Sequence, residues 1–173
     1  MKEKLNKIFE LESEEKYNEA FIDYQKLISE NPEDFKTWKF YYFFLWSMLE
    51  VSNKQFTKKI DLNKELEKQL NIGLRKFSNL PEFNFIAGYT ISIFPYQFGE
   101  YEDLEKKSIE MLKLATKSEP ENLIYKMAFL GSQTGDLNYK EYVEISKKAQ
   151  TSIKSEYQGK GLLNQYFSQV LKR

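Results

Sequence analysis

A chain of 173 residues has the size of one domain and can bury about two thirds of the surface its unfolded form exposes. It contains no Cys and no His, which removes disulfides, thiolate zinc sites, Ser-His and Cys-His nucleophile pairs and the usual proton shuttle at neutral pH; no enzyme, cofactor or metal centre is expected. Lys and Arg total 26, as do Asp and Glu, and a balanced chain lacks the basic excess that phosphate neutralisation demands, so nucleic acid is not the expected partner.

The opening run, MKEKLNKIFELESEEK, is charged and periodic and predicts a helix near 3–14. It lacks the unbroken apolar core of a signal peptide, and the longest apolar cluster, Phe40 to Trp46, falls far short of the roughly 20 residues that span a bilayer. A soluble, cytoplasmic protein without a membrane partner is the expectation. Glu12, Glu14 and Glu15 read as a solvated helix end, because their spacing matches no calcium loop.

A second helix is predicted near 17–30. Tyr17, Ala20, Tyr24, Leu27, Pro32 and Trp38 fall at the spacings of a tetratricopeptide repeat, and the run KYNEAFIDYQKLISENPED resembles that family closely. The resemblance implies two packed helices per repeat, with Ala20 allowing close approach, Tyr24 and Leu27 filling the seam, and Pro32 starting the next helix. It is fullest over residues 1–38, recurs over 101–122 and is degenerate elsewhere. The fold expected from it is all-α, a right-handed α-solenoid of about four helix pairs plus a C-terminal capping helix, forming a single domain over residues 1–173.

The third helix, near 34–50, carries WKFYYFFLW from Trp38 to Trp46. Rings surround this helix, and burying them all requires protein on every side. In the family the first helix of each pair lines a concave groove. The resemblance thus assigns Lys36, Lys39, Phe43, Trp46 and Ser47 to the groove in repeat two, and Lys2, Leu5, Phe9, Glu12 and Ser13 in repeat one. Phe43 and Trp46 either face a partner as aromatic anchors, flanked by steering lysines, or lie beneath the C-terminal repeats. Phe9 and Phe43 stand where members that clamp a terminal carboxylate carry Asn, so that clamp is not expected. The link from Val51 to Asp61, with Lys54, Lys58 and Lys59, reads as a solvated spacer.

Further helices are predicted near 62–78, 82–95, 101–118, 121–133, 138–154 and 157–172. Pro32-Glu33, Pro81-Glu82 and Pro120-Glu121 punctuate the repeats, each placing an acid at the positive end of a new helix. Ser108, Leu112 and Ala115 repeat the spacing of Ala20, Tyr24 and Leu27, whereas Leu70 is large where a small residue belongs. The link Phe94 to Tyr101 is aromatic; Phe94, Tyr96 and Phe98 either tuck beneath the helices or form an interaction patch. Glu100, Glu102 and Asp103 read as a solvated turn, and Thr134-Gly135-Asp136 as the joint before the eighth helix. Gly88, Gly131, Gly135, Gly159 and Gly161 are read as close contacts and helix breaks, with Gly159 and Gly161 breaking the chain before the terminal helix. Leu162, Leu163, Tyr166, Phe167, Val170 and Leu171 form the stripe of a terminal helix.

Charge alternates by segment: residues 1–34 hold 5 basic and 10 acidic residues (net −5), 35–81 hold 9 and 4 (net +5), 82–122 hold 4 and 8 (net −4), and 123–173 hold 8 and 4 (net +4). Such alternation either draws neighbouring repeats together or steers a charged partner. The family is a scaffold for binding other proteins, which implies a protein partner and no small-molecule substrate. Two kinds are expected: an immunity protein that blocks a bacterial toxin domain, or an adaptor or co-chaperone that holds peptide segments.

Overall fold

The computed structural model describes residues 2–51, 56–98, 101–133 and 138–171, with the backbone alone at 101 and 102. Among them are nine α-helices and no strand: α1 (Lys2–Ser13), α2 (Tyr17–Glu30), α3 (Phe35–Ser47), α4 (Leu62–Lys76), α5 (Pro81–Ile93), α6 (Tyr101–Ser118), α7 (Leu123–Gly131), α8 (Tyr139–Glu156) and α9 (Leu162–Val170). The fold is all-α. Its contacts divide the chain into two compact units, Met1–Lys76 with Tyr157–Ser168, and Phe77–Glu156 with Gln169–Arg173.

In the first unit, α1, α2, α3 and α4 pack in chain order. The turn from α1 to α2 is tight because Glu15 takes a left-handed φ of 56°, which lets the Lys16 N–H reach back to the Leu11 carbonyl at 2.8 Å. Ala20, Tyr24 and Leu27 are buried on one stripe of α2; Ala20 has no exposed surface, so a larger side chain has no free space to enter. Asp34 caps α3 by accepting from the Thr37 N–H at 2.7 Å. Helix α3 thus starts at Phe35 and Pro32 lies in the turn before it, because the Asp34 carboxylate, not the proline, satisfies the first amides. Trp38 ties α3 to α4 by donating its indole N–H to the Gln69 carbonyl at 3.0 Å.

The spacer before α4 is only partly solvated. Lys58 and Lys59 are exposed, but Phe56 is buried, stacked on Phe21 with centroids 4.5 Å apart, and its N–H donates to Asn18 Oδ1 at 2.6 Å. Lys54 lies outside the described residues. The last helix begins at Leu162, with its apolar stripe and five residues after the expected bound of 157, because Gly159 and Gly161 hold left-handed φ angles of 103° and 105°.

In the second unit, α5, α6, α7 and α8 also pack in order. Pro81 is the first residue of α5, as its fixed φ favours. By contrast Asn122 caps α7, accepting from the Ile124 and Tyr125 N–H groups at 3.1 and 3.3 Å, which leaves Pro120 ahead of the helix. A Cβ on Gly88 would lie 3.0 Å from the Ser108 carbonyl oxygen: α5 and α6 touch where a glycine faces a small residue. Phe85 stacks on Tyr125 at 5.0 Å, and Gly131 lies against the Tyr142 ring. Thr134, Gly135 and Asp136 lie outside the described residues.

Candidate functional site

The groove positions of α1 and α3 gather in the first unit, but the apolar ones, Leu5, Phe9, Phe43 and Trp46, are not open. Phe43 is fully buried and Trp46 is 3% exposed. Phe43 meets Tyr166 and Phe167 of α9 at 5.5 and 5.3 Å, and Trp46 meets Tyr166 edge-on at 5.2 Å. Their reading as partner-facing anchors is therefore corrected: rings from the same chain fill the space a partner's side chains were expected to take. Ser47 turns its hydroxyl back to the Phe43 carbonyl at 2.9 Å. Lys36 is exposed, while Lys39 is half-buried with its Nζ 5.1 Å from the Phe40 ring and 5.9 Å from the Phe35 ring, an arrangement in which the ring faces attract the ammonium.

Glu12 departs furthest from expectation. Glu14 and Glu15 are exposed, but Glu12 is 3% exposed, so the reading of the cluster as a solvated helix end fails for this member. It completes the buried stripe Leu5, Ile8, Phe9, Glu12 of α1, the i, i+3, i+4, i+7 spacing of a core face. Its carboxyl accepts from the Tyr24 hydroxyl at 2.8 Å on Oε1 and from the Leu162 N–H at 2.8 Å on Oε2. Loss of water pushes its pKa up to about 7, against the lowering effect of those two hydrogen bonds. The same burial, with Glu12 beside it, raises the Tyr24 phenol well above its ordinary value. The stripe itself was the signal that Glu12 is interior.

In the second unit the aromatic link resolves into two kinds of residue. Pro95 and Phe98 are buried and Phe94 is half-buried, whereas Tyr96 is 62% exposed and sits edge-on to Phe94 at 6.0 Å. Ile93, at the end of α5, is 42% exposed. It lies at the rim of a cleft of about 200 Å³ whose walls include Tyr89, Met127, Tyr142 and Leu171. Of the residues expected to form a patch, Tyr96 presents a ring to solvent and Phe98 does not. Gly99, Glu100 and the side chains of Tyr101 and Glu102 lie outside the described residues.

In the first unit an ion pair joins segments of opposite net charge, Lys76 of α4 with Glu33 at 2.6 Å; in the second, Lys126 of α7 pairs with Glu141 of α8 at 2.8 Å, both from the basic segment 123–173. All four side chains keep contact with solvent, and each pair adds about 1 kcal/mol or less. Among the described residues no group of three or more Asp and Glu side chains is placed to hold a metal ion, and no helix is long and apolar enough to cross a membrane. No protein-family model, curated protein or solved structure matches the chain.

Proposed function

We propose that this chain is a non-catalytic protein-binding module built from tetratricopeptide-like helix pairs, acting in the cytoplasm, and that its partner is a toxin domain which it occupies and neutralises. The architecture is supported by close helix approach where the repeat pattern asks for it: at Ala20, which has no exposed surface, and at Gly88 against Ser108. The observation that carries the binding reading is the pair of exposed apolar side chains at the end of α5 and in the link after it: Ile93, which lines the cleft of Tyr89, Met127 and Tyr142, and Tyr96, three residues on. A large ring held in water costs hydration free energy that a partner's surface recovers, and tyrosine is a favoured anchor at interfaces.

Phe43 and Trp46 do not enter this contact while α9 lies on them, so the binding surface is drawn at Ile93 and Tyr96. The test is co-expression of the full chain with the protein encoded beside it. A stable complex and protection of the cells support the reading; a toxin that stays active and uncaptured overturns it. A second reading, an adaptor for helical peptide segments, is favoured by one observation: the α1 and α3 groove positions already hold a short helix, α9.

A further inference from the structure

Helix α9 has nine residues, fewer than the ~12 to 15 at which an isolated helix becomes even marginally stable in water. Its shape depends on what it touches, and over residues 162–168, the part that belongs to the first unit, it touches α1 and α3. Gly161, just ahead of the helix, lies flat on Phe9: a Cβ there would come within 2.8 Å of the ring. The Leu162 N–H, one of the amides that a helix start leaves without an internal partner, donates to the Glu12 carboxyl at 2.8 Å. Helix α9 has no acid in its own first turn, and Glu12 of α1 supplies the side-chain oxygen that caps it. Four and five residues further on, Tyr166 and Phe167 close over Phe43 and Trp46.

These contacts define a ligand. The face of α1 and α3 selects a glycine, then a helix start with a free amide, then two adjacent aromatic residues a turn later. We propose that this face is a helix-docking site which α9 fills in cis, and that it accepts the same α9 from a second copy of the chain, so that two chains join by exchanging their C-terminal helices.

Three features favour this occupant. A second copy carries the required pattern by identity, so the exchanged contact at Phe9, Glu12, Phe43 and Trp46 is the one already formed. The segment 157–161 contains Gly159 and Gly161 at positive φ, and re-routing it needs only a change at residues with broad backbone freedom. Closed and exchanged forms share the contacts of α9 with α1 and α3, and differ at the hinge, where Tyr157 packs on Phe167 at 5.0 Å; concentration then sets the balance between them, the usual condition for domain exchange. The five residues 157–161 reach about 17 Å when extended, which confines the product to a close pair of chains.

The experiment uses two full-length populations with different affinity tags, mixed at concentrations from about 10 µM to about 1 mM and analysed by light scattering and sequential capture. Mixed-tag dimers are expected, rising with concentration. Excess synthetic peptide spanning residues 157–171 should suppress them at least about tenfold, as should Phe167→Ala in both copies, with circular dichroism showing whether that variant stays helical. Should Phe167→Ala unfold, the peptide competition on the wild-type chain decides alone. A monomeric mass at every concentration overturns the proposal, as does a dimer indifferent to the peptide. Peptide capture by a chain that never dimerises overturns the second copy as occupant and assigns the face to a helix of another protein.

Discussion

Replacing Glu12 with Gln isolates a single proton-binding event. The Glu12 carboxyl takes up its proton near pH 7 in the folded chain and near its ordinary value of 4.5 when unfolded. The folded state therefore binds the proton more tightly, and the stability this confers is complete below pH 4.5, declines as pH rises and is gone above about 7. At about 1.4 kcal/mol per pH unit of difference, the wild-type chain should lose about 2.5 kcal/mol between pH 5 and pH 8. With no His and no Cys in the sequence, the terminal amine is the other group ordinarily titrating in that window. The substituted glutamine is neutral throughout; its amide oxygen accepts from the Leu162 N–H and its NH₂ donates to the Tyr24 oxygen, matching the protonated carboxyl. Urea denaturation followed by the helical signal is the assay. The variant should match wild type near pH 5 and exceed it by about 2.5 kcal/mol near pH 8. A wild-type midpoint that stays constant across this range, or a Glu12→Gln chain that keeps the slope, refutes the reasoning.

Ala20→Leu adds bulk at a position with no exposed surface and should lower stability by about 1 to 3 kcal/mol through overpacking; an unchanged urea midpoint contradicts the α1–α2 register. Gly88→Ala sets a Cβ 3.0 Å from a backbone oxygen of α6 and should cost about 1 to 3 kcal/mol, read as a lower thermal midpoint. Phe43→Ala with Trp46→Ala removes two buried rings, each worth about 3 to 5 kcal/mol, so the helical signal should be lost at mild denaturant; retention of full stability means α9 does not cover them. Tyr96→Ala, at an exposed ring, should shift stability by no more than about 0.5 kcal/mol yet weaken binding of the captured partner at least about tenfold in a direct titration.

Much of the helical framework is legible because its signals are local. The spacing of Ala20, Tyr24 and Leu27 marks the buried stripe of α2, and the apolar periods of α1, α5 and α8 place those helices within a residue or two of their ends. Differences arise where a local rule meets a competing one. Proline's preference for a first helical turn points to Pro32 and Pro120, but Asp34 and Asn122 cap α3 and α7 with side-chain oxygens and hold the starts further along. Helix α9 loses its first turn to two left-handed glycines.

The candidate site is less legible because its deciding contacts are distant in sequence. The aromatic surround of α3 correctly demands cover, yet nothing near Phe43 indicates that the cover comes from Tyr166 and Phe167. Glu12 sits on a core stripe in plain view, but a carboxyl is rarely interior without partners, and its partners, Tyr24 and the Leu162 amide, lie 12 and 150 residues away. In the link after α5, composition does not separate the buried Phe98 from the exposed Tyr96, since both are rings in one short loop.

The central proposal, that the chain is a protein-binding inhibitor acting without chemistry of its own, is tested most directly by titrating the purified full-length chain into the protein encoded beside it while recording complex mass and that protein's toxic activity. The account predicts loss of toxin activity in step with a one-to-one complex, weakened at least about tenfold by Tyr96→Ala. Undiminished toxin activity with no complex at saturating protein would contradict it.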